Sequence, residues 1–371
     1  MNRLLPVACA VGMACRPISQ LALDTTLPDG EPMAAAPPLD ILKKLAADTD
    51  PDTRAIALIG LARAPALAAE RGAWVERALY DPDPWVQRAM VASGLDDATL
   101  EAYAVLPSAD ATTRASVAFE RLAHGATFPL DAFEVGSGTP KADRVPLGLV
   151  RVALGDAAAK ATVASTIDHG DLRDDVLLLG TIATHGWPEL AAALVGAERW
   201  VEPDAIARMQ VVRARLGDPD ARAAWRSSVR ADASVGWDLA ELIAALPDAD
   251  RAKLAQDLST VGDKPLRDAL AVLAHPSVAA VRHAIESDDP TARELGFQRL
   301  KMLPDADAIE LVRRVLRADD PWTWASASRA VSSTGLCALQ DTFATRLQDD
   351  RNQVRAAAAA VVARCDKGTA P

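Results

Sequence analysis

The stretch DPDPWVQRAM, Asp81 to Met90, returns in altered form as DDPWTWASAS from Asp319. An aspartate, a proline and then, three or four residues on, an arginine or another large side chain recur at Asp50, Asp83, Asp218, Asp289 and Asp320. Versions without the proline in second place start at Asp110, Asp156 and Asp263, and a looser copy starts at Asp350. Several spacings fall near one unit length: 33 residues from Asp50 to Asp83, 31 from Asp289 to Asp320, 30 from Asp320 to Asp350, and 62, two units, from Asp156 to Asp218, while 27 from Asp83 to Asp110 is short and 46 from Asp110 to Asp156 is long. Aspartate is a strong helix N-cap, because its carboxylate accepts from the free amides of the first turn. Proline at the next position has no amide to satisfy and already holds a helical φ. Each phrase therefore predicts a helix start. A turn and a second helix follow, as in HPSVAAVRHAIES and DADAIELVRRVLRA. A two-helix unit of about 30 residues cannot bury both faces alone, whereas stacked units share a continuous core.

Composition agrees with helices. Half of the residues are apolar, chiefly Ala, Leu and Val, against five Phe and two Tyr. That favours packed helices over sheets.

The opening D-P, followed by Val-Arg-like and Ala positions in a helix pair, resembles the HEAT-like repeats of bacteria. The resemblance covers most of residues 39–366 and implies an all-α fold, an α-solenoid of roughly nine or ten stacked helix pairs. In that family Asp and Arg of neighbouring units form a structural ladder. The capping argument makes Asp50, Asp83, Asp218, Asp289 and Asp320 structural caps, and the resemblance assigns Arg54, Arg114, Arg222, Arg293 and Arg355 to the ladder. Gln87 and Trp324 depart from the pattern, so the ladder is expected to change there. Residues 125–148, with four glycines and three prolines, interrupt the rhythm and predict a long loop.

The N-terminus, MNRLLPVACAVGMAC, has a positive start, an uncharged stretch and then Cys15 after a small alanine. It resembles a bacterial lipoprotein signal peptide, which implies removal of residues 1–14 and lipidation of Cys15. Pro6 and Gly12 depart from the usual pattern. Residues 15–38 read as a flexible tether with five prolines. Residues 367–371 read as a short tail. No apolar run reaches the roughly 18 residues of a membrane-spanning helix. The expected location is the cell envelope, with membrane contact through the lipid alone. A cytoplasmic protein is the alternative.

No catalytic signature stands out. His124, His169, His185, His275 and His283 make no paired metal motif, and the four cysteines make no C-x-x-C. No cofactor is expected. The net charge of −11 argues against nucleic acid as a partner. Cys337 and Cys365 fall on the same side of an antiparallel stack. Export would allow them a disulfide, and two buried free thiols are the plainer reading. Trp85 and Trp322 hold the same place in the phrase, directly after the proline, and with Trp324 they are candidate anchors for a protein partner. Packing over the adjoining loop is the plainer reading for them. The Ala-rich final helix, QVRAAAAAVVARC, leaves a weakly apolar outer face open to an end-to-end contact. The expected role is non-catalytic protein binding or scaffolding. The rivals are an enzyme on a HEAT-like fold, of the bilin-lyase or DNA-glycosylase kind, and a cytoplasmic regulator.

Overall fold

The computed structural model describes residues 36–366, except 96–97, 124, 168–178, 180, 183–184, 200–202, 245 and 247. The proposed signal peptide, Cys15, nearly all of the tether and the tail lie outside the described residues. The described residues are helical, with no strand among them. The helices form two compact units.

One unit comprises residues 91–275 of the described chain. Its helices are α5 (Ala98–Ala104), α6 (Ala111–Ala123), α7 (Lys141–Ala153), α8 (Ala157–Thr166), α9 (Glu189–Ala197), α10 (Pro203–Arg215), α11 (Pro219–Ala231), α12 (Ala233–Ala244), α13 (Asp248–Ser259) and α14 (Lys264–Ala274). Each packs on the next in chain order, and α10, α12 and α14 also touch in sequence. The expected loop at 125–148 is shorter than its composition suggests, because α7 already begins at Lys141. The remainder is held down. Phe133 is fully buried, and Arg114 donates to the carbonyls of Ala104 and Ala132 with its guanidinium over the Phe133 ring.

The other unit contains both ends of the described chain. From the N-terminal side come α1 (Pro38–Leu45), α2 (Pro51–Arg63), α3 (Arg71–Leu79) and the start of α4 (Pro84–Ala92). From the C-terminal side come α15 (Val278–Ile285), α16 (Pro290–Phe297), α17 (Asp305–Val315), α18 (Pro321–Thr334), α19 (Gln340–Ala344) and α20 (Asn352–Cys365). The Ala-rich α20 is no outer face. It packs on α18 and α19 on one side and on α1 and α2 on the other, and Ala356 to Ala359 are fully buried. The surface expected to await a partner is covered by the chain's own first helices. Gly60 of α2 allows the approach: a Cβ there would lie 2.9 Å from the Ala360 Cβ. Cys337 and Cys365 form a disulfide, Cα–Cα 5.3 Å, which ties the end of α20 to the segment before α19.

The caps are where the D-P phrase puts them. Carboxylates of Asp50, Asp218, Asp289 and Asp320 accept from first-turn amides, and Asp83 accepts from Trp85 N at 2.8 Å. Asp110, Asp156 and Asp263 do the same. The last copy differs, since Arg351 rather than Asp350 occupies the cap position of α20.

The ladder is partial. Arg54 pairs with Asp81 through two nitrogens, at 3.0 and 2.8 Å, and Arg293 reaches Asp320 at 3.5 Å and the Thr323 hydroxyl. Arg222 pairs instead with Asp257, outside the repeated phrase. Arg114 and Arg355 are held by carbonyls, with Asn352 as a further acceptor for Arg355. The arginine four residues past the cap has a second task, closing its own loop. Arg54, Arg293 and Arg355 all donate to the carbonyl two residues before their cap position, and Gln87 does so too at 2.7 Å. Trp324 cannot. There Arg351 of the next unit supplies the guanidinium, donating to the carbonyl and carboxylate of Asp319, a residue in the left-handed region at φ 55°.

Candidate functional site

Five helices of the second unit are tied start to start. Arg293 joins α16 to α18, Arg351 joins α20 to α18, and Arg54 joins α2 to α4. Between α20 and α2 the same link is made by Asn352, which donates to Asp48 at 2.6 Å across the two ends of the chain. The order α16, α18, α20, α2, α4 is therefore continuous although the chain is not.

A small cleft, open to solvent, runs over four of these helices. The central pair, α20 and α2, contributes the small residues Ala360, Gly60 and Ala55. The outer pair, α18 and α4, contributes Trp322 and Trp85. Ile56 and Ile59 add aliphatic surface, and Asp52, Arg63 and Gln353 also contribute.

Trp85 is buried, 9% exposed, and Trp322 is half-buried. The indole nitrogens of both are enclosed and have no hydrogen-bond partner. Arg329 of α18 stands with its guanidinium carbon 5.7 Å from the Trp322 ring centroid. One terminal nitrogen donates to Glu294 at 2.8 Å and to Ser326 at 3.1 Å, while its Nε is enclosed and unpartnered. Glu294 is itself buried, so the arginine's charge is balanced from below.

The structure thus brings Trp85 and Trp322 to one cleft and separates Trp324 from them. Trp324 is 2% exposed, packs edge-on against Phe343 at 5.2 Å and lies under Arg346. It is a core residue, because two positions further along a helix point to the opposite side. The disulfide supersedes the reading of Cys337 and Cys365 as free thiols.

The sequence reading passed over one motif. Arg-x-x-Leu-Gly-Asp occurs at Arg151–Asp156 and again, 62 residues on, at Arg213–Asp218. In both copies the glycine takes a left-handed φ, 95° at Gly155 and 101° at Gly217, and the arginine folds back onto the capping aspartate at 2.6 Å. Hydrogen bonds from Arg151 hold the Asp156 carboxyl below the usual range. Burial pushes Asp218 up, but the bonds from Arg213 outweigh it. The spacing of the glycine and arginine was the available signal.

Among the described residues no group of His, Cys, Asp and Glu is placed to hold a metal ion. His124 and His169 lie outside them, and His185 stacks on Trp187 at 4.7 Å. No described helix is long and apolar enough to cross a membrane. Compared with known proteins, the chain matches no family model, no curated protein and no solved structure.

Proposed function

We propose that this protein is a non-catalytic binding or scaffolding protein of the HEAT-like α-solenoid kind, anchored by a lipid at Cys15 and facing the periplasm of a bacterial cell envelope. The observation that carries the binding role is the meeting of Trp85 and Trp322 in the lining of one cleft, together with small residues of α2 and α20. Such anchors dominate many protein interfaces. Packing of each helix from α5 to α14 on the next described helix supports the stacked-repeat reading. The Cys337–Cys365 disulfide supports an oxidising compartment, because such bonds are rare in the reducing cytosol.

Two measurements test this reading. The mass of the mature N-terminus in membrane and soluble fractions is expected to show an acylated Cys15 in the membrane; an intact Met1 in the soluble fraction would overturn the envelope assignment. Co-purification with a defined partner is expected to fall at least tenfold in W85A/W322A. A catalytic turnover that survives this double variant would contradict the binding role.

A further inference from the structure

The contact of α1 and α2 with α20 joins residues far apart in the chain. Asn352 and Asp48, which bond across it, are separated by 304 positions. The two sides belong to one compact unit, yet the chain between them, residues 91–275, forms the other. No short connection enforces this contact, so complementarity holds it, and a second copy carries the same complementary surfaces. Those surfaces are specific. A Cβ at Gly60 would lie 2.9 Å from the Ala360 Cβ and 3.2 Å from the Leu42 Cδ1. Leu42, Leu58 and Leu61 of the first helices and Ala356 to Ala359 of α20 are fully buried. Ends that part would bring apolar surface of this junction to water, so they either reclose or pair with another copy. The outcome is set by the concentration of copies against the effective concentration of the chain's own ends. The chain leaves the unit at the end of α4. Gly94 just beyond, left-handed at φ 68° with open space about its Cβ position, gives a turn at which its course can change.

We propose that this chain exchanges its N-terminal segment, α1 to α4, with a second copy, so that α2 of each protomer packs on α20 of the other. Both junctions are then made and neither protomer keeps an open end, which closes the assembly at two. This proposal is independent of the lipid anchor and of the binding role.

The test mixes two full-length variants, G60A and A360G, one of them carrying a heavy-isotope label. They are unfolded in urea and refolded together at high concentration, with the disulfide kept oxidised. Size-exclusion chromatography with light scattering separates monomer from dimer, and native mass spectrometry counts the labelled chains in each dimer. An unmixed G60A dimer has two overpacked junctions, and an unmixed A360G dimer has two underfilled ones. In the mixed dimer one junction sets Gly60 on Ala360, as in the wild type. The other carries both substitutions, with the methyl moved across. The expected result is a mixed dimer at least tenfold more abundant than the two unmixed dimers together, against the equal share that random pairing gives. Wild type refolded with G60A/A360G should do the reverse, because the mixed dimer then has one overpacked and one underfilled junction. That second mixture needs no chain with a mismatched junction of its own. Monomer alone up to millimolar protein overturns the proposal. Dimers of random composition in both mixtures overturn it too, since they place the contact on another surface. Assemblies larger than two overturn the closed exchange.

Discussion

Replacing Gly60 with alanine probes the junction of the chain's two ends with one methyl group. In a free-standing helix the change is favourable by about 0.8–1.0 kcal/mol, because glycine is a poor helix former. In this structure the new Cβ meets the Ala360 Cβ at 2.9 Å, the Ala360 Cα at 3.3 Å and the Leu42 Cδ1 at 3.2 Å. Two of these neighbours belong to helix backbone and its first side-chain atom, which cannot swing aside. Overpacking of this kind costs about 1–3 kcal/mol, so G60A should destabilise by a net of about 1 kcal/mol. A360G alone loses helix propensity and a buried methyl, about 2 kcal/mol together. In G60A/A360G the propensities cancel and the methyl moves across the junction, so stability should return close to wild type. The coupling is then about 2–3 kcal/mol, read from urea melts followed by helical circular dichroism. A G60A protein more stable than wild type, with coupling near zero, would refute the packing of α2 on α20.

Other consequences follow from named contacts. Removing the disulfide, by C337S/C365S, frees a loop of sequence separation 28 and should lower stability by about 3–4 kcal/mol in urea melts, with added reductant having no further effect on the variant. R54A leaves Asp81, 8% exposed, without its partner and should cost about 3 kcal/mol; R222A removes an arginine 45% exposed and should cost under about 1 kcal/mol. Equal losses would contradict the difference in burial. Asp156, Asp218 and Asp349 are all held below the ordinary aspartate range; for Asp349 burial acts upward and the Arg351 bonds outweigh it. Such groups bind protons more tightly in the unfolded chain, so their stabilisation is full above the ordinary range and is lost as pH falls through their folded values. The urea midpoint should therefore drop as pH falls below about 4, and an unchanged midpoint between about pH 5 and about pH 3 would contradict this.

Helix starts were legible because an N-cap is decided within four residues of chain. Asp50, Asp289 and Asp320 cap as the phrase predicts for that reason. The partners of the ladder arginines were only half legible, since they depend on what lies opposite. Arg114 faces the Ala132 carbonyl because residues 125–140 fold back over it, while Arg222 finds Asp257 on a helix with no D-P start. Trp322 and Trp324 look alike in a string and differ by their side of the helix. Trp324 stands where other copies carry Arg or Gln, which was the hint that it plays another part. Least legible was the meeting of the chain's ends. Repeats predict contact between neighbours in sequence, and α20 and α2 are neighbours only in space. The run of alanines and valines in α20 signalled burial without naming what covers it.

The cleft exists only if both ends of the chain build one core, since α2 and α4 form one side and α18 and α20 the other. A nuclear Overhauser measurement on methyl-labelled protein tests this most directly. The separation of 2.9 Å between the Ala360 Cβ and the Cβ position at Gly60 predicts a strong cross-peak from the Gly60 α-protons to the Ala360 methyl. Cross-peaks from Gly60 to its own helix alone would contradict the junction, and with it the cleft.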